Sequence, residues 1–327
     1  MRECQLILTV RGAAEARAIE PVLQDRPVAG PTVAGPTVAG LGIPWRLDIK
    51  DPTAGALGRP SADSVSDTLQ LVAGRWPVSV AWGELTQFAP LEPPVPPDWR
   101  GKVDLLKLGL AGLAGQLDWP ERLAAAAEHF QVAAGTGVVA VIYADGPQCH
   151  APAPDQIVRA ATECDCPVVL IDTYDKRHGS LTQLWSATQL QRWIDTIHDS
   201  GRRAAVAGSL RAEDLAAIHA CGPDYVALRS ALCHSDRTGQ LSVERVRDIC
   251  RRWTQLVACR ATTSSSGSST HFPKSTQEGE RERGAEVSSA GSAEAERRVT
   301  PLSLAGPRVV ERSAVLTHDG NGKGGRT

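Results

Sequence analysis

Lysine is scarce in this chain. Of 35 Lys and Arg residues only six are Lys, at positions 50, 102, 107, 176, 274 and 323. The two types differ most where an amine must give up its proton: a lysine can be tuned neutral, an arginine cannot. Three of the lysines lie close to carboxylates. Lys50 ends "RLDIK" with Asp48 two residues before it, Lys107 lies in "VDLLKLGL", and Lys176 follows Asp172 by four in "IDTYDK". A neutral lysine can form a Schiff base with a carbonyl, an electron sink for aldol or elimination chemistry. Crowded ammonium groups in a partly dry site lower one another's pKa, while nearby carboxylates oppose that shift. Moving a lysine from about 10.4 to about 7.5 takes roughly 4 kcal/mol of differential interaction, which burial and a neighbouring cation can supply. Spacing alone does not choose among the three amines.

These residues need elements to hold them together. Short β-branched or apolar runs recur at 5–10, 45–50, 76–82, 103–110, 136–143, 166–173, 202–209 and 223–230. Near-continuous hydrophobic strands indicate burial on both faces, hence a parallel sheet covered by helices. Helix-type segments such as "SADSVSDTLQLVAG", "WPERLAAAAEHF", "PDQIVRAATE", "LTQLWSATQLQRWIDTIHDSG" and "SVERVRDICRRW" lie between most of them. The link after the third strand, "FAPLEPPVPPDWRG", holds five prolines and cannot be regular helix. Eight strands with helical crossovers predict an α/β chain, a (β/α)8 TIM barrel. A doubly wound open sheet is the rival, but "LTVRGAAEA" lacks the glycine-rich first turn such a sheet normally carries.

In a barrel the chemistry sits where the strands end. Lys50 closes the second strand, Lys107 lies late in the fourth and Lys176 follows the sixth, whereas Lys102 precedes a strand at the opposite face. Asp48 and Lys50, two apart, project the same way; Asp104 and Lys107, three apart, face oppositely. The seventh and eighth strands end in "AVAGSL" and "LRSALC". Loops at these two places are the usual phosphate site of the fold, so Gly208, Ser209, Arg229 and Ser230 are candidate phosphate ligands. Tyr143, Asp145, Trp82 and Glu84 also end strands and could be either structural or functional. His129, His178 and His234 have no metal-ligand spacing.

Composition narrows the partners. A formal charge of −2 gives no electrostatic reason for nucleic acid or an anionic membrane, and no apolar run approaches a bilayer span of roughly 20 residues. The eight cysteines are scattered, with "CDC" at 164–166 the one close pair, and read as reduced thiols of a cytoplasmic protein. The barrel is expected over residues 1–259, with a VAGPT repeat at 28–40 as an insertion. Residues 260–327, rich in Ser, Gly and charge, are expected to be a disordered tail.

Taken in order, "LDIKDPTAGALG", "VDLLKLGL", "YADG", "LIDTYDK", "AVAGSL" and "LRSALC" resemble the (5-formylfuran-3-yl)methyl phosphate synthase family of methanofuran biosynthesis, across essentially residues 4–255. That family is similar to class I aldolases on a TIM barrel. The resemblance implies a carbon–oxygen lyase that condenses two glyceraldehyde 3-phosphate molecules, with loss of phosphate and water, to (5-formylfuran-3-yl)methyl phosphate. It implies Lys50 as the Schiff-base lysine and Lys107 as proton acceptor, with Asp48, Asp172 and Lys176 completing the site and neither cofactor nor metal required. Ser230 stands where the family pattern has glycine. Another class I aldolase for a sugar phosphate, or a non-catalytic phosphate-binding barrel, stays open beside it. The small-molecule partner is then a phosphorylated aldehyde, and the sequence leaves monomer or homo-oligomer undecided.

Overall fold

Each of the eight expected strands forms, and each is followed in the chain by the material that carries it back across the sheet. The computed structural model describes residues 4–24, 45–87 and 95–265. It begins with β1 (Gln5–Val10), α1 (Ala13–Gln24), β2 (Trp45–Ile49), α2 (Ala62–Val72) and β3 (Val78–Glu84). Then come β4 (Leu105–Gly109), α3 (Trp119–Ala134), β5 (Gly137–Tyr143), α4 (Pro154–Glu163) and β6 (Val168–Asp172). The chain closes with α5 (Leu181–Leu184), α6 (Ala187–Asp199), β7 (Arg203–Val206), α7 (Leu215–Ala220), β8 (Tyr225–Leu228) and α8 (Val243–Ser265). The strands form one closed parallel barrel in sequence order, β1 pairing with β8 through Gln5↔Tyr225 to Leu8↔Leu228. The fold is the predicted TIM barrel.

Two features differ from a uniform strand–helix alternation, and each has a local cause. Among the described residues no α-helix lies between β3 and β4; the described parts of this proline-rich link hold short 3-10 turns at Leu85–Gln87 and Pro97–Trp99. The single helix expected over 181–201 is broken in two at Trp185–Ser186, where the Ser186 side chain accepts the Gln189 N–H and starts α6 afresh. The last helix continues to Ser265, beyond the compositional boundary at 260. The VAGPT repeat, residues 88–94 and residues 266–327 lie outside the described residues.

Period-2 alternation divides the strand residues between two cores. Outward side chains such as Leu6, Leu8, Leu47, Ile49, Val80 and Leu106 pack with Ile19, Leu69, Leu123, Ile157, Ile194 and Val246 of the helices. Trp82 belongs to this shell: its ring meets Trp99 and Phe130 edge-on, at 5.7 and 5.3 Å between centroids. That resolves one ambiguous strand-end residue as packing. Inward side chains including Ile7, Leu105, Val139, Leu170, Ala205 and Tyr225 fill the lumen with apolar surface. At one end Tyr225 is held by Arg203, whose guanidinium donates to the phenol oxygen at 2.6 Å, and by the Arg46 guanidinium 5.5 Å from its ring centre. At the other end the inward positions become polar.

Candidate active site

Polar side chains enter the lumen through the same alternation that fills its floor. On neighbouring strands Thr9, Asp48 and Ser79 stand in register, with Lys107 beside Ala81 and Val139. Asp48 is 1% exposed and accepts hydrogen bonds from Ser79 Oγ at 2.8 Å and Thr9 Oγ1 at 3.1 Å. Its Oδ1 also lies 2.6 Å from Lys107 Nζ. Asp104, three residues before Lys107, instead accepts the Val78 N–H and an Arg46 N–H at the start of β3. Lys102 is exposed.

A second lysine–aspartate pair closes the other side. Lys176 Nζ lies 2.6 Å from Asp172 Oδ1 and 2.8 Å from Thr173 Oγ1, and also donates to the Thr173 carbonyl. Asp172 accepts the Thr173 N–H at 2.7 Å. Burial pushes the Asp172 carboxyl up, but Lys176 and Lys50 outweigh it and hold it below its ordinary value. The loop that carries Lys176 is anchored by Asp145. Its buried carboxylate accepts the N–H groups of Tyr174 at 2.6 Å and Asp175 at 2.8 Å. Asp145 therefore shapes the site from behind.

Lys50 sits between the two pairs. Among the described residues its amine has neither an ion-pair nor a hydrogen-bond partner, although it is only 9% exposed. Burial is the largest influence on it and pulls its pKa down. Asp172 opposes, Lys176 and Lys107 push further down, and Asp48 opposes again. The balance falls from 10.5 to about 7. At pH 7 about half of such an amine is neutral, against roughly one in three thousand for an ordinary lysine. The three lysines that spacing alone could not rank are thus distinguished: two are paired with carboxylates and one is not.

Gly208, Ser209 and Ser230 line the same pocket as the lysines. The turn at 208–209 is tightly built. Gly208 has φ 110° and its carbonyl accepts the Leu181 N–H at 2.8 Å, and Ser209 has φ 51°. Arg229 lines the same pocket. Its N–H groups go to Glu15 at 2.6 and 3.1 Å and to the carbonyls of Thr9, Arg237 and Gly239 at 3.1, 2.9 and 3.0 Å. That engages all the donors a guanidinium has. Arg229 braces the loop after β8 against β1 and α1. The loop in turn brings Arg237 to the pocket, where it also donates to the Gly55 carbonyl at 3.0 Å. Arg237 was not legible as a site residue, because its placement depends on this brace.

Two further groups share this end of the barrel. Glu84, partly buried at the end of β3, accepts the Tyr143 hydroxyl at 2.6 Å and the Ala111 N–H at 3.0 Å. Burial raises the Glu84 pKa, and these two bonds do not fully offset it. Among the described residues no three His, Cys, Asp or Glu side chains gather as a metal site needs. His178, for example, approaches only Asp145 and Asp175, at 3.7 and 3.8 Å. Cys149, Cys164, Cys166, Cys221, Cys233 and Cys250 are free thiols, and burial pushes the Cys166 thiol up to about 12. No helix among the described residues is long and apolar enough to cross a membrane.

Residues 44–250 match the family model of 4-HFC-P synthase. Among curated proteins the chain is similar to (5-formylfuran-3-yl)methyl phosphate synthase of Methanosarcina acetivorans, 28% identical over 212 residues that cover 62% of this chain and 88% of that protein. The protein of the same name from Methanopyrus kandleri is 29% identical over 193 residues, covering 57% of this chain and 80% of its own length. Among solved structures, phosphoribosyl anthranilate isomerase from Thermus thermophilus aligns with a TM-score of 0.49 at 14% identity, over 77% of this chain and 99% of that one.

Proposed function

Since this chain belongs to the 4-HFC-P synthase family, we propose that it condenses two molecules of glyceraldehyde 3-phosphate into (5-formylfuran-3-yl)methyl phosphate through a Schiff base on Lys50. The observation that carries this reading is the buried, unpaired Lys50 amine with its pKa near 7, flanked by the Lys107–Asp48 and Lys176–Asp172 pairs. The neutral amine adds to an aldehyde carbon, water leaves, and the imine makes the neighbouring C–H acidic. Lys107 accepts that proton, with Asp48 stabilising the ammonium across the 2.6 Å contact. The enamine carbon then attacks the aldehyde of the second triose. Lys176 and Asp172 serve the proton on the oxygen that this attack generates. Loss of phosphate and water from the six-carbon adduct yields the furan, a carbon–oxygen lyase reaction in methanofuran biosynthesis.

The turn at Gly208 and Ser209, with Ser230 and Arg229, receives a phosphate, and Arg237 of the same pocket supplies a further cation. The test is incubation of the purified protein with glyceraldehyde 3-phosphate, following furan absorbance and inorganic phosphate together. Both should rise in step. A product that keeps both phosphates would identify an ordinary class I aldolase. Binding without turnover would identify a non-catalytic phosphate-binding barrel.

A further inference from the structure

The pocket that holds the lysines is small for a reaction between two phosphorylated molecules. It encloses about 60 Å3 of free space. A water needs at least about 10–15 Å3 counted in this way, so the pocket has room for about four to six waters, whereas a triose phosphate has about ten non-hydrogen atoms. Two such molecules do not fit there together. A second pocket, of about 900 Å3, lies among the loops that follow β6, β7 and β8. Lys176, Ser209, Leu210, Ser230 and Arg237 line both and form the boundary between them. Beyond that boundary the outer pocket carries two guanidinium groups that the inner one lacks, Arg211 after β7 and Arg245 in the first turn of α8. The ion-pair partner of Arg211, Glu213, is 3.6 Å away, too far for a hydrogen bond. Arg245 gives Nη1 to the Cys233 carbonyl and, among the described residues, makes no ion pair. Arg177 of the same pocket is instead taken up by Asp175 at 2.6 Å. Of the carboxylates on these walls, Asp248 is held by Arg251 and Arg252, and Asp236 by the N–H and hydroxyl of Thr238, while Glu213 and Glu244 are exposed.

From this arrangement we propose that the outer pocket is the subsite of the second triose phosphate, whose phosphate is bound by Arg211 and Arg245. The inference rests on the condensation proposed above and gives its second reactant a place. The first triose is joined to Lys50 in the inner pocket, with its phosphate at the turn of Gly208 and Ser209. The second lies across the boundary. Its aldehyde faces inward beside Lys176, the residue that serves the oxygen of that aldehyde, and its three-carbon chain carries the phosphate outward. A guanidinium offers forked N–H pairs that match phosphate oxygens, and neither Arg211 nor Arg245 is locked in a hydrogen-bonded carboxylate pair that would have to break first. The subsite therefore selects a short aldehyde with an anionic group at the end remote from the carbonyl. An uncharged aldehyde of the same length lacks the anchor.

The test compares the unmodified full chain with Arg211→Gln, and with a protein carrying Arg211→Gln and Arg245→Gln together, over a range of glyceraldehyde 3-phosphate concentrations. Two quantities are read in each: the one-triose adduct on Lys50 trapped by borohydride, and the rate of furan formation. Half-maximal adduct should need the same concentration in all three proteins. Half-maximal furan formation should need about tenfold more substrate in Arg211→Gln and more again in the double variant, the scale of a lost hydrogen bond to a charged group. Arg245 also supports the Cys233 carbonyl, so its replacement can disturb the loop after β8. Arg211 is exposed and its side chain makes no hydrogen bond among the described residues, so Arg211→Gln decides the matter where the double variant fails to fold. Furan kinetics unchanged in Arg211→Gln would overturn the subsite. So would adduct and furan shifting together, because Arg211 would then serve the first triose. Absence of any Lys50 adduct in the unmodified protein would overturn the condensation reading and this inference with it.

Discussion

Lys107 Nζ and Asp48 Oδ1 lie 2.6 Å apart inside the barrel, linking β4 to β2 across β3. Both are nearly buried, so each neutralises a charge that would otherwise be stranded away from water. Asp48→Asn should therefore destabilise the fold by about 3 kcal/mol or more, measured by denaturant unfolding. It also removes one of the two carboxylates that hold the Lys50 pKa up. The alkaline-rising limb of kcat/KM should move below pH 7.

Lys50 itself is an unfavourable resident of the fold. Its pKa of about 7 in the folded chain lies under the ordinary 10.5. The unfolded chain binds the proton more readily between these values, so stability is lost as pH falls from about 10.5 to about 7. Lys50→Met should abolish turnover yet raise Tm. The gain should be small at pH 10, grow as pH falls and be complete below pH 7, each kcal/mol showing as about 2–4 °C. Equal Tm differences at pH 6 and pH 10 would contradict the depressed pKa.

The brace at Arg229 separates binding from chemistry. Burial pushes the Glu15 carboxyl up, but its bonds with Arg229 and the Arg11 N–H hold it below its ordinary value. Arg229→Met leaves Glu15 with only Arg11 as a cationic partner, at 2.7 Å, and frees the loop that delivers Arg237. It should cost about 3 kcal/mol of stability and raise KM by more than it lowers kcat. Arg237→Ala should raise KM about tenfold with little effect on stability, since this side chain is only partly buried. Steady-state kinetics beside thermal melts distinguishes the two.

Gly109 offers a purely steric probe. A methyl group there would enter the space of Glu84 Oε2 and the Tyr143 hydroxyl. Gly109→Ala should destabilise the barrel by about 1–3 kcal/mol through overpacking, measured by denaturant unfolding. Unchanged denaturant stability of Gly109→Ala would contradict this packing.

What could be read from the sequence follows from what period-2 alternation encodes. Asp48, Lys107 and Asp172 stand on regular strands and Lys50 directly follows one, so their common end was legible from spacing. Glu84 was left ambiguous because the bulge at Gly83 breaks that alternation, and "WGE" marks it only by a glycine. The bracing of Arg229 by Glu15 was not legible, because the two lie 214 residues apart, a contact no local pattern carries. The choice of Lys50 over Lys107 and Lys176 needed either the family resemblance or the three-dimensional pairing. Spacing places side chains on a face, but which amine is left without a carboxylate is settled by packing.

The most direct measurement is borohydride reduction of the protein with glyceraldehyde 3-phosphate, followed by peptide mass mapping at pH 7. A reduced adduct is predicted on Lys50 and on neither Lys107 nor Lys176, and it should disappear in Lys50→Arg. Substrate bound without an adduct on any lysine, or an adduct that forms unchanged in Lys50→Arg, would contradict the assignment of Lys50 as the imine-forming residue.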